Sequence, residues 1–288
     1  MTTLIIGAAG QLGQALAKCT AGEVTCWSRA ELDLQDVSEI ALRIGELQPQ
    51  LVVNAAAYTA VDKAESEADL AYRVNRDAAG AIATGAARVG ARLVHVSTDF
   101  VFDGTASSPY TPDAARNPLG VYGASKAAGE DRVMAAAPGA LIVRTAWVYG
   151  AGGKNFVETM LRLMATRDTV SVVADQVGTP THTGSLARAI LALSAKGVTG
   201  VHQFTYAGVA SWYDFAVAVH EIARAQGILV GDVMVRPIVT ADYPTPARRP
   251  AYSVLDKTST WAALGAPAVH WRSELENMLK IRDDVNGS

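Results

Sequence analysis

The chain has 288 residues, of which 50% are hydrophobic and 18% are charged, and its formal net charge is −3. This composition predicts a folded protein with a large core, and the charge argues against a nucleic acid or an anionic membrane as its partner. Cys19 and Cys26 have neither disulfide nor metal-ligand spacing, so we expect both to be reduced. The apolar runs are too short to span a bilayer, and the chain opens on a short strand where a secretory leader would lie. We therefore expect a cytoplasmic protein.

Short apolar runs alternate with helical patterns through the first half of the chain. We predict strands at residues 3–6, 23–27, 51–54, 92–96 and 140–143. Helical patterns lie between them, for example at 12–18, 68–89 and 124–136. This alternation is typical of an α/β fold in which helices cover both faces of a parallel sheet.

The alternation of strand and helix patterns becomes less regular after about residue 150. Helical patterns at 155–167, 184–194, 211–226 and 273–282 are mixed with strand patterns at 170–174 and 201–206. Ser211 is predicted to cap the helix that follows it. Prolines cluster at 243–250, which predicts an extended loop. The second half therefore predicts a smaller C-terminal α/β lobe.

Three glycines, Gly7, Gly10 and Gly13, follow the first strand and precede a helix, which is the context of a dinucleotide-binding loop. Glycine permits close approach to a pyrophosphate, which the N-terminus of the helix then stabilises. We predict that Gly7, Gly10, Gln11 and Leu12 bind a dinucleotide. The spacing is GxxGxxG and not GxGxxG, so a strand–helix turn without a ligand is the alternative.

The end of the second strand indicates which dinucleotide is bound. Sites that prefer NAD usually carry an acidic residue there, whereas this chain has Ser28 and Arg29, which suit a 2′-phosphate. This favours NADPH, with NADH as the alternative. Asp33 is predicted to accept a hydrogen bond from the adenine amino group, and its neighbour Leu34 is predicted to contact the cofactor as well. Small residues at 55–57 (Ala55, Ala56 and Ala57) leave room for the cofactor beside the third strand.

A tyrosine and a lysine lie four residues apart, at Tyr122 and Lys126, and therefore share one face of a helix. A phenol is a poor acid–base group at neutral pH unless its anion is stabilised, and the lysine ammonium is predicted to lower the pKa of Tyr122. Ser97, Thr98 and Asp99 end a strand where open α/β sheets bind ligands. We predict that Tyr122 donates a proton to a carbonyl oriented by Thr98. A surface tyrosine beside a solvated lysine is the alternative.

The sequence resembles the extended short-chain dehydrogenase/reductase family, and within it the dTDP-4-dehydrorhamnose reductases. The motifs that carry the resemblance lie at residues 10–13, 53–65, 97–102, 144–149, 175–181 and 243–250. The resemblance implies a Rossmann-type doubly wound parallel sheet. We expect an NADPH-binding domain at 1–150, completed by segments within about 183–206, and a nucleotide-sugar-binding lobe mainly at 151–288.

The resemblance also implies an activity and the residues that carry it. NADPH would reduce the C4 ketone of dTDP-4-dehydro-L-rhamnose, with Thr98, Tyr122 and Lys126 as catalytic residues. Asn75, Ser97, Tyr122 and Lys126 would contact the nicotinamide side of the cofactor. The residues implied to contact the substrate are Thr59, Asp62, Thr98, Asp99, Phe100, Trp147, Asn155, Gln176 and Arg249.

Some members of the family dimerise around a magnesium ion held by glutamates. The three corresponding positions here are Ala15, Gly184 and Ile281, which cannot ligate magnesium. We therefore predict no metal, and either a monomer or a metal-independent homodimer. The histidines show no ligand spacing and are predicted to be dispensable; among them, His95 lies inside a buried strand.

Two other functions stay open. One is a reductase or epimerase of a different nucleotide sugar, although epimerases tend to retain NAD, which Ser28 and Arg29 disfavour. The other is a non-catalytic, cofactor-binding regulatory subunit that resembles the β subunit of methionine adenosyltransferase. Because Thr98, Tyr122 and Lys126 are all present, we favour an enzyme.

Overall fold

The computed structural model describes residues 1–286. Its strands, in chain order, are β1 (Thr3–Ile6), β2 (Val24–Trp27), β3 (Leu51–Asn54), β4 (Arg92–Thr98), β5 (Leu141–Thr145), β6 (Val148–Tyr149), β7 (Thr169–Val173), β8 (Val177–Gly178), β9 (Thr181–His182), β10 (Gly200–Gln203), β11 (Ala210–Ser211) and β12 (Met234–Ile238). Its helices are α1 (Gln11–Cys19), α2 (Val37–Leu47), α3 (Val61–Ala64), α4 (Ala68–Tyr72), α5 (Ala79–Arg88), α6 (Val121–Ala136), α7 (Phe156–Met164), α8 (Thr183–Ala195), α9 (Trp212–Ala225), α10 (Thr258–Leu264) and α11 (Trp271–Asn286). A π-helical turn, Arg73–Ala78, joins α4 to α5, and 3₁₀ turns lie at Asp99–Val101 and Thr240–Asp242.

The central sheet has six parallel strands in the order β10-β5-β4-β3-β1-β2. Strands β1, β3 and β5 are buried along their whole length, as expected for strands that helices cover on both faces. The order reverses between β1 and β3, and this reversal creates a crevice at the carboxyl ends of the strands. The predicted Rossmann-type α/β fold is confirmed.

Alternating side chains of the central strands serve two separate cores. On one face, Leu4 and Ile6 of β1 pack with α2, α5 and α6. On the other face, Ile5 packs with α1 and α8. Neighbouring strand residues point to opposite faces of a sheet, so the apolar run predicted at 3–6 supplies both cores.

A third core lies in the C-terminal part of the chain. Helices α7, α9 and α11 pack around Tyr149, Phe215 and Leu275, with the parallel pair β7–β12 along one side. The Ser211 hydroxyl accepts from the backbone N–H of Asp214, whose carboxylate accepts from the backbone N–H of Ser211, so the predicted cap is present as a capping box. This smaller α/β lobe agrees with the predicted fold class.

Two helices differ from their predicted form. Helix α6 begins at Val121, three residues before the predicted start, so Tyr122 lies in its first turn. The predicted helix 68–89 contains the π-helical turn that carries Asn75. Helix α6 packs closely against this turn, and a Cβ at Gly129 would collide with the Asn75 carbonyl oxygen. The shape of the turn therefore depends on a helix that lies about fifty residues away in the sequence.

Candidate active site

A cavity of about 880 Å³ lies at the carboxyl ends of the central strands. It is lined by the glycine loop, the ends of β2 and β4, the start of α6 and one residue of the proline-rich loop. Twenty of the predicted site residues line it: Gly7, Gly10, Gln11, Leu12, Ser28, Arg29, Asp33, Leu34, Ala55, Ala56, Ala57, Thr59, Ser97, Thr98, Asp99, Phe100, Tyr122, Lys126, Trp147 and Arg249. The fold thus gathers residues that are distant in sequence into one crevice.

The glycine loop has a shape that only glycine fits. Gly7 has a φ of +87°, and a Cβ there would lie 2.6 Å from the backbone nitrogen of Ala56. A Cβ at Gly13 would collide with the Gly7 carbonyl oxygen. Gly10 occupies the N-cap of α1, where no side chain within residues 1–286 caps the helix. The first-turn N–H groups of α1 therefore remain available to an anion such as a pyrophosphate.

The end of β2 carries a cation and a carboxylate side by side. Arg29 is exposed, and its guanidinium lies 3.9 Å from the Asp33 carboxylate. The Glu31 carboxylate accepts a hydrogen bond of 2.7 Å from the Ser28 backbone N–H, and hydrogen bonds from Ser28 lower the pKa of Glu31. Sequence reasoning singled out Arg29 and Asp33 but not Glu31, because a side chain that turns back onto its own loop leaves no periodic signal.

Tyr122 is half-buried and lies against the end of β4. Burial raises the pKa of the Tyr122 phenol to about 12; the charge of Asp99 adds to this rise, and a hydrogen bond with Thr98 opposes it. Its ring packs edge-on against Phe100, with 5.5 Å between ring centroids. The lowering of this pKa by Lys126 stays a prediction. The phenol keeps its proton at neutral pH, as a proton donor must.

Lys126 is buried and bonded to β4. Its Nζ donates to the Val96 carbonyl oxygen at 2.7 Å and lies 3.3 Å from Nε2 of His95. Burial lowers the pKa of Lys126 to about 8, and the negative charge of Glu130 opposes this shift. Both ends of the predicted pair therefore have perturbed pKa values within one cavity, which is typical of functional sites.

Polar residues at the ends of β4 and β5 line the cavity. Thr98 Oγ1 donates to Asp99 Oδ1 at 3.0 Å, and burial raises the pKa of Asp99 to about 6. Within the described part of the chain, Ser97 Oγ and Thr145 Oγ1 are buried and have no hydrogen-bond partner. Buried polar atoms of this kind are expected to bind a ligand or water. The donors, the acceptors and the glycine cradle therefore fit a dinucleotide cofactor with a polar substrate beside it.

Four predicted site residues do not line the cavity. Asn75 is buried behind it, where its amide bonds both backbone groups of Tyr58 and the Ser125 hydroxyl. Asp62 is paired with Arg249 at the cavity edge. Asn155 caps α7, and its Nδ2 donates to Gln11 Oε1 at 3.0 Å. Gln176 is buried and donates to Thr240 Oγ1 at 3.1 Å. Their direct contacts with ligands stay predictions.

Trp147 combines backbone strain with an aromatic stack. Its φ of +48° lies in the left-handed region, which a bulky residue rarely adopts. Its ring stacks on Trp212 with 3.6 Å between centroids and 7° between planes. Sequence reasoning missed Trp212 as a lining residue, together with Tyr58, Thr145 and Lys154. For Thr145 a signal existed, because it is paired in register with Thr98 at the end of the neighbouring strand.

The described residues contain no group of three or more His, Cys, Asp or Glu side chains that is arranged to hold a metal ion. The three positions compared with the family's magnesium ligands are occupied by Ala15, Gly184 and Ile281. In the same part of the chain, every helix is too short or too polar to cross a membrane.

Comparison with known proteins agrees with this architecture. A family model described as "RmlD substrate binding domain" matches residues 1–283. The chain belongs to this family. The resemblance stated from the sequence motifs is therefore confirmed, and RmlD-type proteins supply the relatives with which the cavity can be compared.

Two curated relatives and one solved structure of this family are informative. The chain is 42% identical over 285 residues to the dTDP-4-dehydrorhamnose reductase of Aggregatibacter actinomycetemcomitans, with 96% of this chain and 97% of the relative covered. It is 42% identical over 283 residues to a Streptomyces antibioticus protein named probable dTDP-4,6-dihydroxy-2-methyloxan-3-one 4-ketoreductase, with 96% and 93% covered. A structure of dTDP-4-dehydrorhamnose reductase from Bacillus anthracis in complex with NADP has a TM-score of 0.92 and 35% identity, with 97% of this chain and 99% of that chain covered.

Proposed function

We propose that this protein is an NADPH-dependent reductase that converts dTDP-4-dehydro-L-rhamnose to dTDP-L-rhamnose. Membership of the RmlD family and the reductase relatives support the class of reaction. The observation that carries the proposal is the position of Tyr122 and Lys126 on one face of α6, beside Thr98 and inside the cavity. A protein that only binds a cofactor has no need of a protonated phenol at this point.

The cofactor would lie along the ends of the central strands. The N-terminus of α1, with Gly7 and Gly10, suits the pyrophosphate, and Ser28 and Arg29 suit the 2′-phosphate. Bound NADPH supplies the hydride that reduces the C4 carbonyl of the sugar. Ser97 and Lys126 line the cavity and would hold the nicotinamide half.

The protein's own residues would manage the proton and the negative charge. Tyr122 is protonated at neutral pH and can give its phenolic proton to the alkoxide oxygen that forms at C4. The Thr98 hydroxyl lies beside Tyr122 and would orient the carbonyl oxygen by a hydrogen bond. The Lys126 ammonium would stabilise the Tyr122 phenolate that remains.

The sugar nucleotide would lie between the two lobes. Arg249 lines the cavity from the proline-rich loop, and Trp147 offers an aromatic surface that suits a sugar ring. We also propose the division into a cofactor-binding part at 1–150, completed by segments within 183–206, and a substrate-binding part mainly at 151–288. A cytoplasmic monomer or metal-independent homodimer completes the proposal.

The decisive assay measures NADPH consumption at saturating cofactor with enzymatically prepared dTDP-4-dehydro-L-rhamnose, and identifies the product by NMR. Turnover of roughly one per second or faster, with dTDP-L-rhamnose as the product, is the expected result. A cofactor-only incubation corrects for background oxidation. Tight NADPH binding without turnover of any nucleotide 4-ketosugar would favour the regulatory-subunit alternative.

A second candidate substrate is a different dTDP-linked ketosugar. The Streptomyces antibioticus relative, whose name describes a 4-ketoreductase acting on another sugar, supports this alternative as strongly by identity as the rhamnose enzyme does. Parallel assays with both classes of ketosugar distinguish the two, because the correct substrate should have the higher kcat/KM.

Replacing Arg29 with Ser is expected to weaken NADPH binding selectively. Arg29 is the cation at the end of β2, and a charge-assisted contact at such an exposed position should raise the KM for NADPH by about tenfold. The KM for NADH should change little, because NADH lacks the 2′-phosphate. Arg162→Ser, an exposed arginine of α7 outside the cavity, is the control. Equal changes for both cofactors would contradict the assignment of Arg29.

Replacing Arg249 with Met is expected to raise the KM for the nucleotide sugar by about 10- to 100-fold, with kcat little changed. In the wild-type protein the Arg249 guanidinium donates hydrogen bonds of 2.8 Å and 3.1 Å to the Asp62 carboxylate, and it also donates to Thr245 Oγ1. These bonds hold the guanidinium in place at the cavity edge. Arg248→Met is a matched control in the same loop, since Arg248 is exposed and does not line the cavity. A larger effect for Arg248 would move the proposed contact with the nucleotide sugar to that residue.

A further inference from the structure

His95 sits in a buried chain of polar contacts that ends at the proposed catalytic lysine. It lies in the middle of β4 and is 1% exposed. Its Nδ1 is 3.0 Å from Nδ2 of Asn54 on the neighbouring strand β3, and its Nε2 is 3.3 Å from Nζ of Lys126 on α6. The imidazole therefore connects two strands of the central sheet to the amine in the cavity.

The backbone of the Ala55–Ala57 segment fixes the orientation of the Asn54 amide. Asn54 Oδ1 accepts a hydrogen bond of 3.1 Å from the Ala56 backbone N–H, so Nδ2 of Asn54 is the atom that faces His95. The opposite orientation would place an amide N–H against the N–H of Ala56. Because Nδ2 is only a donor, Nδ1 of His95 must be the acceptor. A neutral imidazole then carries its proton on Nε2.

This tautomer presents an N–H group to Lys126. A neutral Lys126 amine can accept that hydrogen bond with its lone pair, whereas an ammonium would place N–H against N–H. Burial keeps His95 neutral, since its pKa is well below the usual value and the positive charge of Lys126 lowers it further. The lysine retains one partner for a proton of its own, the Val96 carbonyl oxygen.

Other charged or titratable groups face this amine. Glu130, one helical turn further along α6, favours the ammonium form. Glu130 is itself neutralised by Arg144 of β5 and by Arg116. Tyr122 of α6 is protonated, and Asp99 borders the same cavity. Glu130 therefore favours the ammonium form of Lys126, whereas the hydrogen bond from His95 favours its uncharged amine.

We infer that His95 is a positioning residue for Lys126, with a tautomer fixed by Asn54 that stabilises the neutral amine. This inference deepens, and in its catalytic consequence rests on, the function proposed above. After Tyr122 has given its proton to the sugar alkoxide, an N–H bond of the Lys126 ammonium breaks and the phenolic O–H bond forms again. The lone pair left on Nζ then accepts from Nε2–H of His95, and Lys126 regains its proton from solvent.

The tautomer can be tested in the full-length wild-type chain without substrate or turnover. Long-range ¹⁵N–¹H correlation spectra of histidine-labelled protein, assigned with His95→Gln, report which ring nitrogen carries the proton. We expect the Nε2–H form for His95 across the neutral pH range. A proton on Nδ1, or a doubly protonated ring at neutral pH, would overturn the inference.

The effect on the lysine can be measured by titrating ¹³C-lysine-labelled protein, with the Lys126 signal assigned by Lys126→Arg. His95→Gln offers an amide oxygen to the ammonium. In Asn54→Asp the carboxylate accepts a hydrogen bond from Nδ1–H of His95, which leaves Nε2 as an acceptor. Both are expected to raise the Lys126 midpoint by about one pH unit, which corresponds to the exchange of one unfavourable contact for a hydrogen bond. His202→Gln, whose ring contacts Thr260 outside the cavity, should leave it unchanged. Unchanged midpoints in folded His95 and Asn54 variants would refute the inference.

Turnover supplies a separate readout. The basic limb of the kcat–pH profile should move upward with the Lys126 midpoint in both variants, a shift that a purely structural role of His95 would not produce. If the predicted tautomer and midpoints are found while no nucleotide ketosugar is reduced, the positioning role of His95 stands and the proposed function fails.

Discussion

Replacing Tyr122 with Phe is expected to lower kcat for ketosugar reduction by at least about a hundredfold, the usual contribution of a positioned general acid. The variant lacks the phenolic proton but keeps the ring that packs against Phe100. Because the pKa of the phenol is about 12, nearly all wild-type molecules hold this proton at neutral pH. The substitution therefore removes the proton donor from essentially every active molecule. Steady-state NADPH oxidation measures kcat, and fluorescence titration of bound NADPH measures cofactor affinity.

A matched control separates the loss of the acid from a general loss of a tyrosine hydroxyl. Tyr213 on α9 is half-buried and does not line the cavity, so Tyr213→Phe should keep kcat within about twofold of the wild-type value, as is usual for substitutions away from a site. NADPH affinity should be similar in both variants. If Tyr122→Phe retains more than a tenth of the wild-type kcat, another group must supply the proton.

Local sequence patterns predicted the parts of the site that depend on local geometry. The glycine loop was identifiable because Gly7 and Gly13 follow a buried strand and open a helix. Tyr122 and Lys126 were identifiable because a spacing of four residues places side chains on one helical face. Ser97 and Thr98 end a parallel strand, and the ends of such strands meet at one edge of the sheet. In each case the relevant geometry is set within a few residues.

Other features depend on contacts that no local pattern encodes. Arg249 pairs with Asp62, which lies 187 residues earlier, and the pairing requires the proline-rich loop to reach the first half of the chain. The π-helical turn at Asn75 depends on the close approach of α6 at Gly129. The pKa of Tyr122 is raised by burial and by the charge of Asp99, against the hydrogen bond with Thr98, and these surroundings come from parts of the chain that a spacing of four residues does not describe.

The proposed role of His95 also depends on contacts that no local pattern encodes. No metal-ligand spacing surrounds His95, which lies within a buried strand, and the sequence predicts that it is dispensable. Its significance comes from the neighbours that the sheet and α6 supply on either side of the ring, namely Asn54 and Lys126. A buried polar residue inside an apolar strand is therefore a signal that its hydrogen-bond partners should be identified before it is dismissed.

The largest effect on stability is expected from Glu130→Gln. Glu130 is buried and holds Arg144 through two hydrogen bonds, at 2.9 Å and 2.7 Å, while Arg116 contacts the same carboxylate at 3.1 Å. Glutamine has nearly the same shape, but it is neutral and turns one acceptor into a donor. The Arg144 guanidinium is 3% exposed and would then be left as a buried cation without a countercharge. Breaking a buried pair in this way typically costs about 3–5 kcal/mol.

Urea-induced unfolding measures this loss as a lower free energy of unfolding. The exposed ion pair between Asp131 and Arg116, the second arginine that contacts Glu130, provides the control. Asp131 contacts Arg116 at 2.6 Å, but its side chain is 65% exposed. Asp131→Asn should therefore cost no more than about 1 kcal/mol, because solvent screens such pairs. Equal losses for the two variants would mean that Arg144 finds another partner when Glu130 is neutral. A large difference would establish that the pair under α6 holds this helix, and with it Tyr122 and Lys126, against β5.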